Sequence, residues 1–340
     1  RIKKEKEELA AEAKAIEQEA AEKAYLRKSV ENYCDVIAID ADKEKIRTKL
    51  LKTKTTFYLE GWLPESLVGK ASRLLEQMNC CYEFTPPKED EEVPVLLDNK
   101  NFFVPFEAIT EMYSLPAYKG FDPTSIFALF YAVFFGMMLS DAGYGIIMTV
   151  GCFVILKKFR LEGTTCKMIR LFFYCGISTI FWGALFGGWF GDFIQVFART
   201  VFGKEIEIAP LWFNPLDDPM TLLIFSLALG IIHIFVGMGI KAYMQIKEGH
   251  WFDAVCDEGF WYFTILGLIA WLGGSFVSPA LPKIGMWLTI IGAAGLLLTG
   301  GRHNKGFGKI TGGLSNLYNI TSYMSDILSY ARLLALGLAT

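Results

Sequence analysis

The sequence predicts an α-helical polytopic membrane protein with about seven spans visible and an eighth expected beyond its end. A small N-terminal α/β module and a coiled-coil-like helix precede the spans. Three observations carry that prediction. Residues 1–28 hold eight Lys or Arg and seven Asp or Glu, whereas residues 125–156 hold one charge, Asp141. The chain of 340 residues is 53% hydrophobic and 15% aromatic, with mean hydropathy +0.34, and its long apolar runs all lie after residue 123. The last of them carries one arginine, Arg332, among leucines and alanines. Charge in front and oil behind indicate a soluble part, residues 1–122, followed by a membrane part, residues 123–340. The net charge of −3 gives no reason to expect nucleic acid as a partner.

Taken in order, residues 1 to about 33 are rich in Glu, Lys and Ala and lack Pro and Gly, which favours a helix. Ile2, Leu9 and Ile16 recur every seven residues, with Ala13 and Ala20 at the other seam position, the stripe of a short coiled coil. A solvated helix lying on its own domain fits so thin a stripe equally well. Residues 34–39 and 55–60 read as strands, Pro64 to Met78 as a helix opened by proline, and residues 80–84 as a returning strand. Together these form the α/β module. Residues 88–93 are an acidic linker, and prolines 94, 105, 116 and 123 then break the chain into a collar of short elements.

A single helix over residues 125–156 would run roughly 48 Å, too long for a bilayer core of about 30 Å. Ser140-Asp-Ala-Gly-Tyr-Gly145 divides it into two spans with a tight turn. Further apolar runs lie at about 168–198, 219–246, 259–278, 284–300 and 314–340. Connections on the side of the soluble front carry ten Lys and Arg, and those on the opposite side carry three. The N-terminal domain is therefore expected in the cytoplasm, with the Asp141 turn facing outside. The chain opens at Arg1 and stops at Thr340 in mid-pattern, as expected of a piece of a longer protein.

Polar residues in apolar runs mark the candidate site. Ser322, Ser325, Ser329 and Arg332 are spaced three, four and three apart, so on one helix they share a face, with Asp326 beside them. A guanidinium at mid-bilayer costs about 2.5 to 3.5 kcal/mol on insertion scales and cannot shed its charge. It therefore faces a wet path or a carboxylate. The alternatives are snorkelling to the headgroups or pairing with Asp326 on its own helix. Asp141 at the outer turn, His233 in the middle of the fourth span and Glu258, next to Asp257 at the start of the fifth, are further candidates for lining an ion path. Asp141 also fits a helix cap, Asp257 and Glu258 fit acids at a helix N-terminus, and His233 fits a hydrogen-bonded packing residue. Asp192 ends a glycine-rich helix, where close helix packing is the default explanation.

Seven cysteines without a CxxC pair and three histidines without ligand spacing point to no metal site, no disulfide framework and no cofactor. There is no Walker loop and no Ser/His/Asp constellation, so the sequence offers neither a nucleotide site nor catalytic residues.

Five segments resemble a known family: Phe57-Tyr-Leu-Glu-Gly-Trp-Leu-Pro64, Val104-Pro-Phe-Glu-Ala-Ile-Thr-Glu-Met-Tyr113, Phe135-Gly-Met-Met-Leu-Ser-Asp-Ala-Gly-Tyr-Gly145, Phe181-Trp-Gly-Ala-Leu-Phe-Gly-Gly-Trp-Phe-Gly-Asp192 and Ser325-Asp-Ile-Leu-Ser-Tyr-Ala-Arg-Leu-Leu-Ala-Leu-Gly-Leu-Ala339. They are similar to the membrane-spanning a or I subunit of V-type and V/A-type rotary ATPases, and the last segment is the most specific. The resemblance implies a non-catalytic stator subunit of a rotary motor in a prokaryotic plasma membrane. Its partners would be the rotor ring (c or K) subunits, the peripheral-stalk (E and G) subunits, the other V-ATPase subunits and the lipid bilayer. It would form half-channels against the ring and couple proton or sodium transport to ATP hydrolysis or synthesis. Arg332 matches the family's essential arginine, and Asp141 falls in the motif near the outer half-channel. The family's eighth helix, its second arginine and most of its N-terminal arm have no counterpart in this sequence. The rival reading is a secondary transporter or channel whose arginine reads an anionic substrate, although no internal repeat supports it. A purely structural anchor would leave the cost of Arg332 unexplained.

Overall fold

The computed structural model describes residues 12–16, 18, 23–88, 91–118, 120–191, 193–203, 209–276, 278–302 and 308–339. Two compact units divide the chain, Arg1–Pro94 and Val95–Thr340, so the collar's residues 95–122 cluster with the helical unit.

In the first unit the helix expected at the front is seen at residues 12–16 and again as α1 (Arg27–Lys49). Ile2, Leu9 and Ala20 of the coiled-coil stripe lie outside the described residues, and Ile16 is exposed. The strand expected at residues 34–39 is not formed, because those residues are the middle of α1. Residues 1–60 contain no Gly or Pro, and pairs such as Arg27–Glu31 at 2.8 Å and Arg47–Glu44 at 2.6 Å lie along the helix surface. Helix propensity and local pairs thus carry Val36, Ile37 and Ile39 into a helix that leaves them exposed. Strands β1 (Leu51–Lys52) and β2 (Phe57–Tyr58) pair antiparallel, with Leu51 opposite Tyr58. This two-residue ladder is the only sheet among the described residues, and residues 80–84 form no strand. The expected α/β module is therefore reduced to one hairpin and α2 (Val68–Gln77), the helix foreseen after Pro64.

The second unit opens with the collar helix α3 (Val104–Tyr113), whose Phe106 and Ile109 pack against Leu171 and Cys175. Its Glu107 is 3% exposed and is satisfied twice, by Lys167 Nζ at 2.8 Å and by Asn99 Nδ2 at 3.0 Å. Asn99 Nδ2 also donates to Asp122 Oδ2 at 2.6 Å, and the Thr124 amide donates to Asp122 Oδ1 at 2.9 Å. Burial pushes the Asp122 carboxyl up, but the bonds from Thr124 and Asn99 outweigh it and hold the group below its usual range.

The helices α4 (Thr124–Leu139), α5 (Ala142–Lys158) and α6 (Gly163–Phe186) follow. Ser140 adopts φ 36° between the first two, and Gly187 ends the third with φ 78°. The run expected at 168–198 therefore stops at residue 186, and a separate amphipathic helix, α7 (Phe193–Phe202), lies beyond it. Then come α8 (Pro219–Lys247), α9 (Trp251–Gly273, π-helical over Val255–Gly259), α10 (Leu281–Thr299), α11 (Gly308–Ser329) and the short α12 (Ala331–Gly337). Among the described residues four helices, α6, α8, α9 and α10, are long and apolar enough to cross a membrane. Neighbouring helices approach through glycine. A methyl group on Gly145 would fall 2.8 Å from the Ile180 nitrogen, and one on Gly267 would fall 2.5 Å from the Thr289 nitrogen.

Candidate functional site

The arginine-bearing run is not one helix but two, joined at Tyr330. The Tyr330 amide donates to the Ile327 carbonyl at 3.1 Å, and the Leu333 amide donates to the Tyr330 carbonyl at 3.0 Å. Both bonds reach back three residues where an α-helix reaches back four. The carbonyls of Asp326 and Ser329 thereby lose their α-helical donors. Two polar side chains replace them. Ser329 Oγ donates to the Asp326 carbonyl at 2.6 Å, and Arg332 Nε donates to the Ser329 carbonyl at 3.1 Å. The serine and arginine that looked like a stripe on one face therefore also serve the break between α11 and α12.

This bond uses one nitrogen of the guanidinium and leaves the charge unmatched. Among the described residues Arg332 forms no ion pair, and it is exposed, as are Ser325 and Asp326. Pairing of Arg332 with Asp326, the bland alternative, is not seen. The opposite side of α12 is anchored: Leu333 is 6% exposed, and Leu334 packs against the cluster of Met137, Trp182, Phe186 and Leu222. At its far end the Ser140 hydroxyl donates to the Gly337 carbonyl at 3.3 Å. Buried leucines on one side and an unpaired cation on the other fix which way the arginine faces.

His233, in the middle of α8, does not stand alone. Its Nδ1 shares a 2.6 Å hydrogen bond with the Tyr330 hydroxyl, across 97 residues of sequence. The imidazole lies against Phe130 and Phe134, with ring centroids 4.4 Å and 5.4 Å away. His233 therefore has the hydrogen-bonded packing geometry and also touches the residue that breaks the arginine helix. Tyr330 carries no charge, and sequence reasoning passed over it as a functional residue although it lies within the segment most similar to the family.

Asp141 is 2% exposed and both its oxygens accept from the backbone, Oδ1 from the Tyr144 amide at 3.0 Å and Oδ2 from the Gly191 amide at 3.0 Å. It caps α5 and fastens that helix to the glycine-rich turn after α6. Asp192 lies outside the described residues.

Glu258 and Asp257 are not at a helix start, because α9 begins at Trp251 and carries them in its π-helical stretch. The wide turn directs each acid to its own cation. Lys241 Nζ lies 2.6 Å from Glu258 Oε1, and Arg302 bridges Asp253 and Asp257 at 2.8 Å and 2.7 Å. Glu258 is 1% exposed, and its 2.6 Å ion pair with Lys241 supplies the compensation for the buried carboxylate. Sequence reasoning also missed Lys241, Arg302 and the collar pair Glu107–Lys167. The structure thus brings Asp326, Ser329, Arg332 and His233 to one break, with Ser325 one turn before it on α11, while Asp141 and Glu258 belong to local networks of their own. Among the described residues no group of three His, Cys, Asp or Glu side chains is arranged to hold a metal ion.

The model of the V-type ATPase 116 kDa subunit family matches residues 3–205, well over half of the chain. The chain belongs to that family. Curated relatives of this V-type ATPase subunit extend the likeness past residue 205. The A-type ATP synthase subunit I of Methanocaldococcus jannaschii is 31% identical over 90% of this chain and 47% of its own length. That of Pyrococcus abyssi is 30% identical over 100% of this chain and 50% of its own, so the alignment takes in the arginine helix. The V-type ATP synthase subunit I of Borreliella burgdorferi is 25% identical over 92% and 52%. The chain spans about half the length of these relatives. Archaeal and bacterial relatives, with four helices fit to cross a bilayer, agree with a prokaryotic membrane protein.

Proposed function

We propose that this chain is the ion-translocating stator part of a V/A-type rotary ATPase, and that Arg332 faces the acidic side chains of a rotor ring. The observation that carries the reading is the unpaired, exposed guanidinium of Arg332 on a helix whose other side is buried. A ring carboxylate crosses lipid in its neutral form, because an isolated ion there costs several kcal/mol. At the stator the fixed cation favours the charged form, and the bound proton or sodium ion leaves into one half-channel. The carboxylate reloads from the other. The same cation repels an ion passing straight between the half-channels. Ser325 and Ser329 hydrate this face, and Glu258 with Lys241 lies towards the cytoplasmic end of the path. In this reading residues 1–122 are cytoplasmic and engage the peripheral stalks, while residues 123–340 form the membrane domain.

The test is ATP-driven ion uptake in vesicles by the assembled complex carrying Arg332→Lys. Uptake should be lost, because a lysine lacks the permanent charge and the planar fork. Full uptake would overturn the reading. Sodium dependence, or collapse of the gradient by a protonophore, identifies the ion in the same assay.

A further inference from the structure

We infer that Tyr330 and His233 are positioning residues for Arg332: their hydrogen bond holds open the helix break from which the arginine is presented. This rests on the reading of Arg332 given above. Without a tertiary partner nothing in Ser-Tyr-Ala-Arg would interrupt a helix, since alanine and arginine are strong helix formers and no glycine or proline is near. The interruption coincides with the one residue there whose hydroxyl is held from another helix, at 2.6 Å by His233 Nδ1.

The ring of Tyr330 is confined as well as its hydroxyl. A methyl group on Gly230 would fall 2.5 Å from Tyr330 Cγ and Cδ2, so the absence of a side chain at 230 makes room for the ring. Phe134 closes another side, its ring centre 5.5 Å from that of Tyr330. Gly230 and His233 lie one turn apart on α8, so one helix supplies both the slot for the ring and the partner for the hydroxyl.

The consequence for the arginine follows from the hydrogen bonds. If Tyr330 were released, a regular helix through residue 330 would restore the Leu333 amide to the Ser329 carbonyl. That carbonyl would no longer need Arg332 Nε. The guanidinium would lose its one tether, and α12 would turn about its axis relative to α11. The clamp therefore sets both the direction of the side chain and its reach.

The experiment uses the full-length chain assembled in its complex, with four variants. Tyr330→Phe removes only the hydroxyl. His233→Asn keeps a polar atom where Nδ1 stands, His233→Gln carries its amide one bond further out, and Arg332→Ala is the control. Tyr330→Phe and His233→Gln should lower ATP-driven uptake about tenfold per assembled complex, while His233→Asn stays within about twofold. A packing role alone would not separate Asn from Gln. Uptake retained by Tyr330→Phe overturns the inference, and so does equal loss in Asn and Gln, which would assign the imidazole to proton transfer. Should Arg332→Ala itself retain uptake, the function proposed above fails, whatever the other variants do. Amide exchange at Leu333 in the purified full-length chain decides the matter for any variant that does not assemble. Exchange altered by Tyr330→Phe and by His233→Gln but not by His233→Asn supports the clamp; exchange unaltered by Tyr330→Phe sinks it.

Discussion

Asp141 and Arg332 are both charged residues in apolar surroundings, and they are held in opposite ways. Asp141 is buried and gives both oxygens to backbone amides, so its charge is satisfied within the chain. Arg332 is exposed, gives one nitrogen to a carbonyl beside it and meets no acid among the described residues. The difference separates a charge that the described residues compensate from one that they leave open. Cost alone does not reveal function, because both residues are costly. What distinguishes them is whether the chain supplies the compensation.

The sharpest way to break this comparison is at the unmatched charge. Arg332→Ala should reduce ATP-driven ion uptake by the assembled complex by about a hundredfold or more, as removal of a preorganised charge does elsewhere, with little change in melting temperature. A large fall in melting temperature with uptake intact would make Arg332 a structural residue like Asp141. Next, Gly230→Ala should push the Tyr330 ring from its slot and cost about tenfold in uptake. Equal uptake in that variant would mean that the break tolerates a shifted ring.

At Asp141 the expected effects are reversed. Asp141→Ala leaves two amides without their acceptor and should destabilise the purified protein by about 2 to 4 kcal/mol in thermal unfolding, with uptake per assembled complex near normal. Uptake lost without destabilisation would transfer Asp141 to the ion path. Lys241→Met leaves Glu258 buried without its cation. It should destabilise by about 2 kcal/mol, and the further change Glu258→Gln should restore most of that loss.

The smallest effect is a pH dependence at the collar. The Asp122 carboxyl is held below its usual range, so its stabilising contribution is complete above the unfolded-state value of about 4 and is lost as pH falls through the folded-state value. Acid unfolding followed from about pH 5 down to about pH 2 should be less steep in Asp122→Asn. An unchanged slope would remove Asp122 from the account.

Much of the helical unit was legible because its signals are local. Ser140-Asp-Ala-Gly marks a turn by its residue types, and a capping aspartate before an apolar run starts α5 where periodicity says it should. The end of α6 was placed too late because Gly187 and Gly188 were read for packing, whereas Gly187 also takes the left-handed conformation that stops the helix. The strand expected at residues 34–39 went wrong for the opposite reason. Its β-branched residues are outvoted by helix formers on both sides, and it has no partner strand to bury them against.

At the candidate site Arg332 was legible from one letter in an apolar run. The break that holds it was not. Tyr330 keeps a right-handed backbone, φ −69°, with ψ opened to −12° from the α-helical value of about −42°, and the partner that its hydroxyl meets is a histidine 97 residues away. Glu258 was visible as an acid, but its pairing with Lys241 depends on a π-turn that shifts the register of one face, and no residue in Val255–Gly259 announces such a turn.

The glycine contacts between helices have a mechanical corollary. Where Gly145 meets Ile180 and Gly267 meets Thr289, main chain lies on main chain with no layer of side chains between. Such hairpins cannot shear, and a sideways push tilts each of them as a single stave. The seam around Tyr330 is made of aromatic rings, which can roll by small angles. Compliance in this helical unit is therefore concentrated next to Arg332, whose charge meets no acid among the described residues.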